Sequence, residues 1–495
     1  MSTGHGIRAV SDGTGDGIRL RRRAAVAGLA LSLALLTGCG GDDTENTTGK
    51  GGDGSGSSGA ASGKPAADGP AYKGVALPGY AKQAAWSLPT DNASLGVLDL
   101  DGVLLFAKDA SGEYVTDAQV DGEPSDVNRV LFSSDEAEKL TLEFRDARTG
   151  AVRGTLKVTG ESVEGVTWKD GAPAVAVGSS ETTESDGLTQ EETTTSAALY
   201  SADGTKLGET SAYEFGHVVD GYVVTKAEGD KTLTLTPVGG GTARTIPCNG
   251  DDDAECDFDA ETGVASGDKT YAPAVVAGYY PGFEAAGNYD YDPSNVTLND
   301  LATGKQVWSS ADAEVPKGVV LDDEGKPTDR TVRVIRAADG KALIAWKKDI
   351  GLSPSTQVYA WYDLATGKLT SSYEAAQDLV ESPDGELAAL DKDEFDSGYD
   401  GTTLWQTTDG TRLWSQKEGE TPFDPIRFSG NGKVLYGDAY DPRSLDGSHA
   451  TLAVDARTRK VLAKDLPDNS IPAVDATTGF GFLATDDGFF VFPPA

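Results

Sequence analysis

Leu298-Asn-Asp-Leu-Ala-Thr-Gly-Lys-Gln-Val-Trp308 reads as strand, tight turn, strand. Alternation puts Val296 and Leu298 on one side of the first strand, and Gln306 to Trp308 return as the second. An Asp side chain can accept turn amides, and Gly supplies a positive φ without a Cβ clash. The device recurs at Phe144-Arg-Asp-Ala-Arg-Thr-Gly150, Tyr200-Ser-Ala-Asp-Gly204, Tyr362-Asp-Leu-Ala-Thr-Gly367, Gln406-Thr-Thr-Asp-Gly410 and Val454-Asp-Ala-Arg-Thr458. One such hairpin cannot bury a face by itself, so the copies must stack.

A second marker precedes the hairpins: a Gly turn that opens an apolar strand. It stands at Asp101-Gly102, Asp170-Gly171, Asp220-Gly221, Gly267-Asp268, Asp339-Gly340, Asp384-Gly385 and Asn431-Gly432, with a partial copy from Gly479. From Gly340 through Gly385 and Gly432 to Gly479 the steps are about 45, 47 and 47 residues, the length of a four-stranded propeller blade. Trp308-Ser309 and Trp414-Ser415 sit on outer strands, and Trp86-Ser87 has the same surroundings with only linker before it. The chain ends on inner strands that lack an outer partner. Residues 82–88 are therefore predicted to complete the last blade, which removes an exposed sheet edge. The expected fold is an all-β single propeller of about eight four-stranded blades, with seven as the second choice.

These hairpins resemble the repeat of quinoprotein-like propellers, a family that holds both bacterial quinoprotein dehydrogenases and non-enzymatic outer-membrane assembly lipoproteins. The resemblance covers roughly residues 80–495 and rests on Asp300 to Trp308, Asp363 to Leu369 and Thr407 to Trp414. It implies the architecture. Its enzymes use adjacent cysteines, a catalytic Asp and a calcium-ligand set at the ring axis. This chain has no adjacent Cys pair, and no Asp–ligand set can be matched residue by residue.

Residues 1–38 read as a targeting segment. Arg19 and Arg21 to Arg23 precede an apolar run, Ala24 to Leu36, that is short for a membrane span. Leu36-Thr37-Gly38-Cys39 resembles the lipobox of bacterial lipoproteins, which implies diacylglyceryl attachment at Cys39 and placement at the outer face of the cell membrane. Residues 39–72, rich in Gly, Ser and Asp, form a tether with a reach of about 30 Å. Residues 73–495 form the propeller. The overall look is that of an exported actinobacterial protein.

The net charge is −37. Such a surface repels nucleic acid and anionic headgroups, so no nucleic-acid partner is expected. It also keeps an exported protein soluble. Cys248 and Cys256 bracket a short acidic loop and are expected to form a disulfide. Of the histidines, His217 and His449 have no nucleophile motif nearby, so no catalytic residue is assigned. Turn acids at Asp251, Asp252 and Asp253, and at Asp99-Leu-Asp101-Gly102, Asp290-Tyr-Asp292 and Asp322 to Gly325, are weak candidates for Ca²⁺; none has the full twelve-residue spacing. No other cofactor is expected.

Polar insertions near 108–138, 180–195 and 311–332 are expected to be surface loops. A Tyr-rich run with Tyr279, Tyr280, Phe283, Tyr289 and Tyr291 is the expected contact loop, the alternative being aromatics packed between blades. Together these point to a membrane-anchored module that binds a protein or cell-envelope partner. An extracytoplasmic hydrolase or quinoprotein-type oxidoreductase with its site at the axis is the alternative, and a sensor for a membrane signalling protein is a third reading. Alkylation of the exported, unreduced chain should leave Cys248 and Cys256 unmodified and label them only after reduction. Labelling without reduction would remove the disulfide.

Overall fold

The computed structural model describes residues 69–90, 95–116, 130–183, 192–211, 218–225, 232–247, 279–285, 293–301, 303–319, 321, 332–338, 340–347, 357–375, 379–391, 401–417, 419–440 and 449–495. Among them there is no α-helix, only strands and two short 3₁₀ turns.

Strand β1 (Trp86–Leu88) stands apart in sequence from its sheet. The first unit then runs β2 (Leu98–Asp99), β3 (Val103–Lys108), β4 (Val130–Asp146) and β5 (Val152–Trp168). β5 belongs to two units. Its residues Val152 to Gly160 pair with β4 alone, Ser162 to Glu164 lie between β4 and β6 (Ala172–Thr183), and Gly165 to Trp168 pair only with β6, which continues into β7 (Glu192–Ser201) and β8 (Lys206–Ser211). β2 to β8 thus form one seven-stranded sheet.

A four-stranded sheet follows with β9 (Val218–Val219), β10 (Tyr222–Thr225), β11 (Thr232–Pro237) and β12 (Arg244–Pro247). A three-stranded one has β13 (Tyr279–Ala285), β14 (Pro293–Asp300) and β15 (Gln306–Ser309). Two more are β16 (Val332–Ala338), β17 (Lys341–Lys347), β18 (Gln357–Asp363), β19 (Leu369–Ala375), and β20 (Leu379–Glu381), β21 (Leu387–Asp391), β22 (Thr402–Gln406), β23 (Thr411–Ser415). The next holds β24 (Phe423–Phe428), β25 (Val434–Tyr440), β26 (His449–Asp455) and β27 (Val461–Leu466). In the last, β28 (Ala473–Val474), β29 (Gly481–Thr485) and β30 (Gly488–Phe492) are completed by β1. With β5 divided, the described strands make eight successive antiparallel units, a number consistent with the repeat spacing.

Packing carries this series around a ring: successive units share a core, except that the third and fourth are joined among the described residues by a hydrogen bond. Leu105 and Phe144 of the first unit meet Val163 and Val175 of the second. Ala174 and Leu199 meet Val218 and Val223 of the third. Arg244 on β12 donates to the Leu301 carbonyl of the fourth at 2.7 Å. Val296 and Leu298 meet Val334 and Ile344 of the fifth. Tyr359 then meets Leu390, Leu404 meets Leu435, and Tyr436 meets Phe490. Phe489 of the last unit closes on Leu104 and Phe106 of the first. The fold is a β-propeller whose closing strand comes from the N-terminal side, as the orphaned Trp86 and the unpartnered C-terminal strands required.

The predicted turn chemistry is present in atomic detail. Asp363 accepts from the Thr366 amide and hydroxyl, both at 2.8 Å, and Asp455 does the same with Thr458 at 2.8 and 2.7 Å. The Thr hydroxyl first, then its amide, hold both carboxyls below the ordinary range. Two expected loops differ. Residues 130–138 lie in β4, and 180–183 with 192–195 extend the β6–β7 hairpin. Cross-strand hydroxyl pairs, such as Thr182 with Thr193 at 2.9 Å, keep that polar ribbon in register. Packing also begins slightly before residue 73: the Tyr72 ring meets Phe490 and Phe492 edge-on, and Ser87 donates to the Pro70 carbonyl at 2.8 Å.

Trp86 is the closing side chain. It is buried, its indole donates to the Ala147 carbonyl at 2.9 Å, and it lies flat against Gly150. Gly150 has φ +69, and a Cβ there would stand 2.6 Å from the Trp86 ring. Trp86→Ala should lower stability by about 3–5 kcal/mol in urea unfolding. Trp86→Phe, which loses chiefly the hydrogen bond, should cost less than Trp86→Ala. Equal costs would mean that the ring plays no part in closure.

Candidate binding face and axis

The two faces of the ring differ. In five units the turn between third and fourth strands hydrogen-bonds the turn between first and second: Ala147 N to Gly102 O at 3.0 Å, Val238 N to Gly221 O at 2.9, Leu364 N to Gly340 O at 2.8, Thr407 N to Glu386 O at 2.9, and Ala456 N to Lys433 O at 2.8. This face is knitted by tight turns. Antiparallel geometry sends every connection between second and third strands to the other face. Those connections span 109–129, 184–191, 226–231, 286–292, 348–356, 392–401 and 441–448, with a two-residue turn, Asp486–Asp487, in the last unit. Connections between units open there too, including 310–331. The three polar insertions expected from sequence therefore all leave from strand ends at one face.

At the seam between last and first units, three carboxylates approach one another. Asp101 and Gly102 form the β2–β3 turn, with φ +50 and +92. Asp475 is fully buried; its Oδ1 accepts the Thr477 and Thr478 amides at 2.9 and 3.2 Å and its Oδ2 the Thr478 hydroxyl at 2.9 Å. Asp99 keeps one buried oxygen, Oδ1, with no hydrogen-bond partner among the described residues. Burial first, then the charges of Asp475 and Asp101, push the Asp99 carboxyl up to about 8, against the pull of the Asp101 and Gly102 amides. Burial and Asp475 also raise Asp101. Asp99 and Asp101 thus meet a third acid that sequence gave no reason to join to them. Among the described residues, no group of three or more His, Cys, Asp or Glu is arranged to hold a metal ion.

A part-buried ion network stiffens the first unit. Glu143 binds Lys108 at 3.1 Å and Arg145 at 2.5 Å, and Lys108 lies 4.5 Å from the centre of the Tyr114 ring. Arg145 also donates to the Gly150 carbonyl at 2.8 Å, beneath Trp86. This cluster supports closure of the ring.

The other expected site residues fall as follows. Tyr279, Tyr280 and Phe283 lie on β13, paired with Asp300, Asn299 and Val296, so the Tyr-rich run is not a single loop. Tyr289 and Tyr291 lie outside the described residues, within the connection from β13 to β14. Cys39, Cys248, Cys256, Asp251, Asp252, Asp253, Asp290, Asp292, His217 and Asp322 to Gly325 also lie outside them. His449 begins β26 opposite Tyr440.

No family model matches the chain, and no curated protein matches it. Solved structures similar to it include a europium-containing methanol dehydrogenase, at 12% identity and TM-score 0.33, covering 78% of this chain and 80% of that one. The C-terminal WD40 domain of Sif2 has 10% identity and TM-score 0.34, with 81% and 98% covered. The hydrazine synthase of Kuenenia stuttgartiensis has 13% identity and TM-score 0.29, with 76% and 99% covered. Likeness at this level carries no functional argument. The propeller assignment rests on the chain's own sheet order and its cyclic packing.

Asp99 gives a signed pH effect. Its folded value stands above the unfolded carboxyl's, so between about pH 4 and 8 the native state holds a proton that the unfolded chain has lost. Its contribution to stability therefore falls as pH rises through that window. Asp99→Asn should flatten the decline in urea midpoint between pH 5 and pH 9. An unchanged decline would show that Asp99 ionises freely.

Proposed function

We propose that this chain is a membrane-anchored extracytoplasmic lipoprotein that acts by binding, and that its propeller presents the long-connection face to a protein or cell-envelope partner. The observation that carries this reading is the asymmetry of the ring. One face is closed by short turns bonded to one another. The other gathers the longer connections of seven of the eight units, and five of these, 109–129, 184–191, 286–292, 392–401 and 441–448, carry net negative charge. A rigid ring with variable segments on one side is built for recognition, since the scaffold fixes where each loop starts and ends. The Leu36-Thr37-Gly38-Cys39 motif supports attachment at Cys39, and the tether of residues 39–72 gives reach from the membrane. Basic or neutral partners suit a chain of charge −37.

The test is crosslinking in intact cells followed by recovery of the chain, beside a Cys39→Ala control. A stoichiometric partner recovered with the anchored form alone is the expected result. If no partner is recovered and the purified protein carries a chromophore or bound metal, the binding reading fails and an enzyme at the axis replaces it.

A further inference from the structure

An open groove of about 620 Å³ lies on the rim where β5 passes from the first unit to the second. Its floor is apolar: Val158, Val177 and Tyr200 pack on the core that joins the two units. Its wall is a row of hydroxyls. Ser179 pairs with Ser196, their oxygens 3.1 Å apart, and Ser196 pairs with Ser211 on β8. Cross-strand partners project from the same side of a sheet, so the three serines form one line. Thr159 stands across from them on β5.

From this we infer that the groove binds an uncharged segment of an oligosaccharide. Each hydroxyl both donates and accepts, so a row of them matches a ligand that does the same along its length. The apolar floor, with the Tyr200 ring, suits the C–H faces of a pyranose. The volume falls in the range of small-ligand sites. Charge argues for a neutral ligand, because the groove has one lysine, Lys157, and one acid, Glu209, and Glu209 is already bound by Lys206. A peptide would find neither a deep apolar pocket nor a line of fixed charges here. The inference rests on the binding reading above and names a ligand class for it, at the base of the β6–β7 hairpin that runs out to the long-connection face.

The experiment is saturation-transfer NMR on the full chain with N-acetylchitotetraose and mannotetraose as probes. Transfer from the protein to one of them is expected. It should fall to background in Ser196→Tyr, which fills the groove from an exposed position, and persist in Thr195→Tyr, which projects from the opposite side of β7. Circular dichroism and the urea midpoint check that both variants fold. Transfer from neither probe overturns the inference, as does transfer that survives Ser196→Tyr. If the crosslinking experiment recovers a partner while neither oligosaccharide binds, the groove inference falls and the binding reading stands.

Discussion

Everything in this ring depends on how the outer strand of one unit docks on the hairpin turn of the next. Four residues past the turn, a side chain or the backbone itself reaches the neighbouring turn. Trp414 donates to the Ala456 carbonyl at 2.6 Å, and the Trp308 ring meets the Tyr362 ring at a tilt, their centres 5.0 Å apart. Where the outer strand carries Gly154, the Asp203 carbonyl of the next turn comes so close that a Cβ would stand 2.3 Å from it. In the reverse arrangement, the turn residue Gly410 meets the carbonyl of Ser372 on the outer strand β19, where a Cβ would stand 2.3 Å from it. Large ring or bare backbone, each solution removes the gap between units. A propeller needs this contact because no single four-stranded sheet buries enough apolar surface to stand alone.

The docking also explains the turn composition. In the hairpins of Asp146, Asp300, Asp363 and Asp455 the Asp accepts from the amide and hydroxyl of the Thr three residues on, and the Ala147 carbonyl after the first of them faces Trp86 of the neighbouring unit. Arg459 replaces the usual Gly in one copy, adopts φ +60, and lays its guanidinium 5.3 Å from the Trp414 ring. An unfavourable backbone conformation is offset there by a cation–π contact. The closing unit is the most aromatic, with Phe489, Phe490 and Phe492 all buried. That is where a three-residue strand must hold the ring shut.

The locked face and the free face follow from the same arrangement. Turns committed to neighbours cannot vary, so length accumulates at the opposite ends of the strands. The seam is the exception on the locked side. Asp475 caps its own turn yet approaches Asp99 and Asp101, and the Asp99 charge finds too few donors. This cost sits at the junction that brings together residues nearly 380 positions apart.

Much of the architecture could be read along the chain because the repeat is local. Alternation, Asp–Thr–Gly turns and the orphaned Trp86 each act over a few residues, and their recurrence implied stacking and a shared last unit. The short motifs behind the proposed anchor and the expected disulfide are local as well. The extended polar β6–β7 hairpin reads as a loop along the chain because Thr and Ser pairs stabilise a ribbon only across strands, which periodicity along one strand cannot reveal. The same limit hid the serine row, since Ser179, Ser196 and Ser211 meet only through register. It also hid the third acid beside Asp99, which arrives through ring closure. The sequence by itself determined the unit, its turn and the need to close. Tertiary structure alone decided which side chains of distant units share one surface, because that depends on register and packing between sheets rather than on order along the chain.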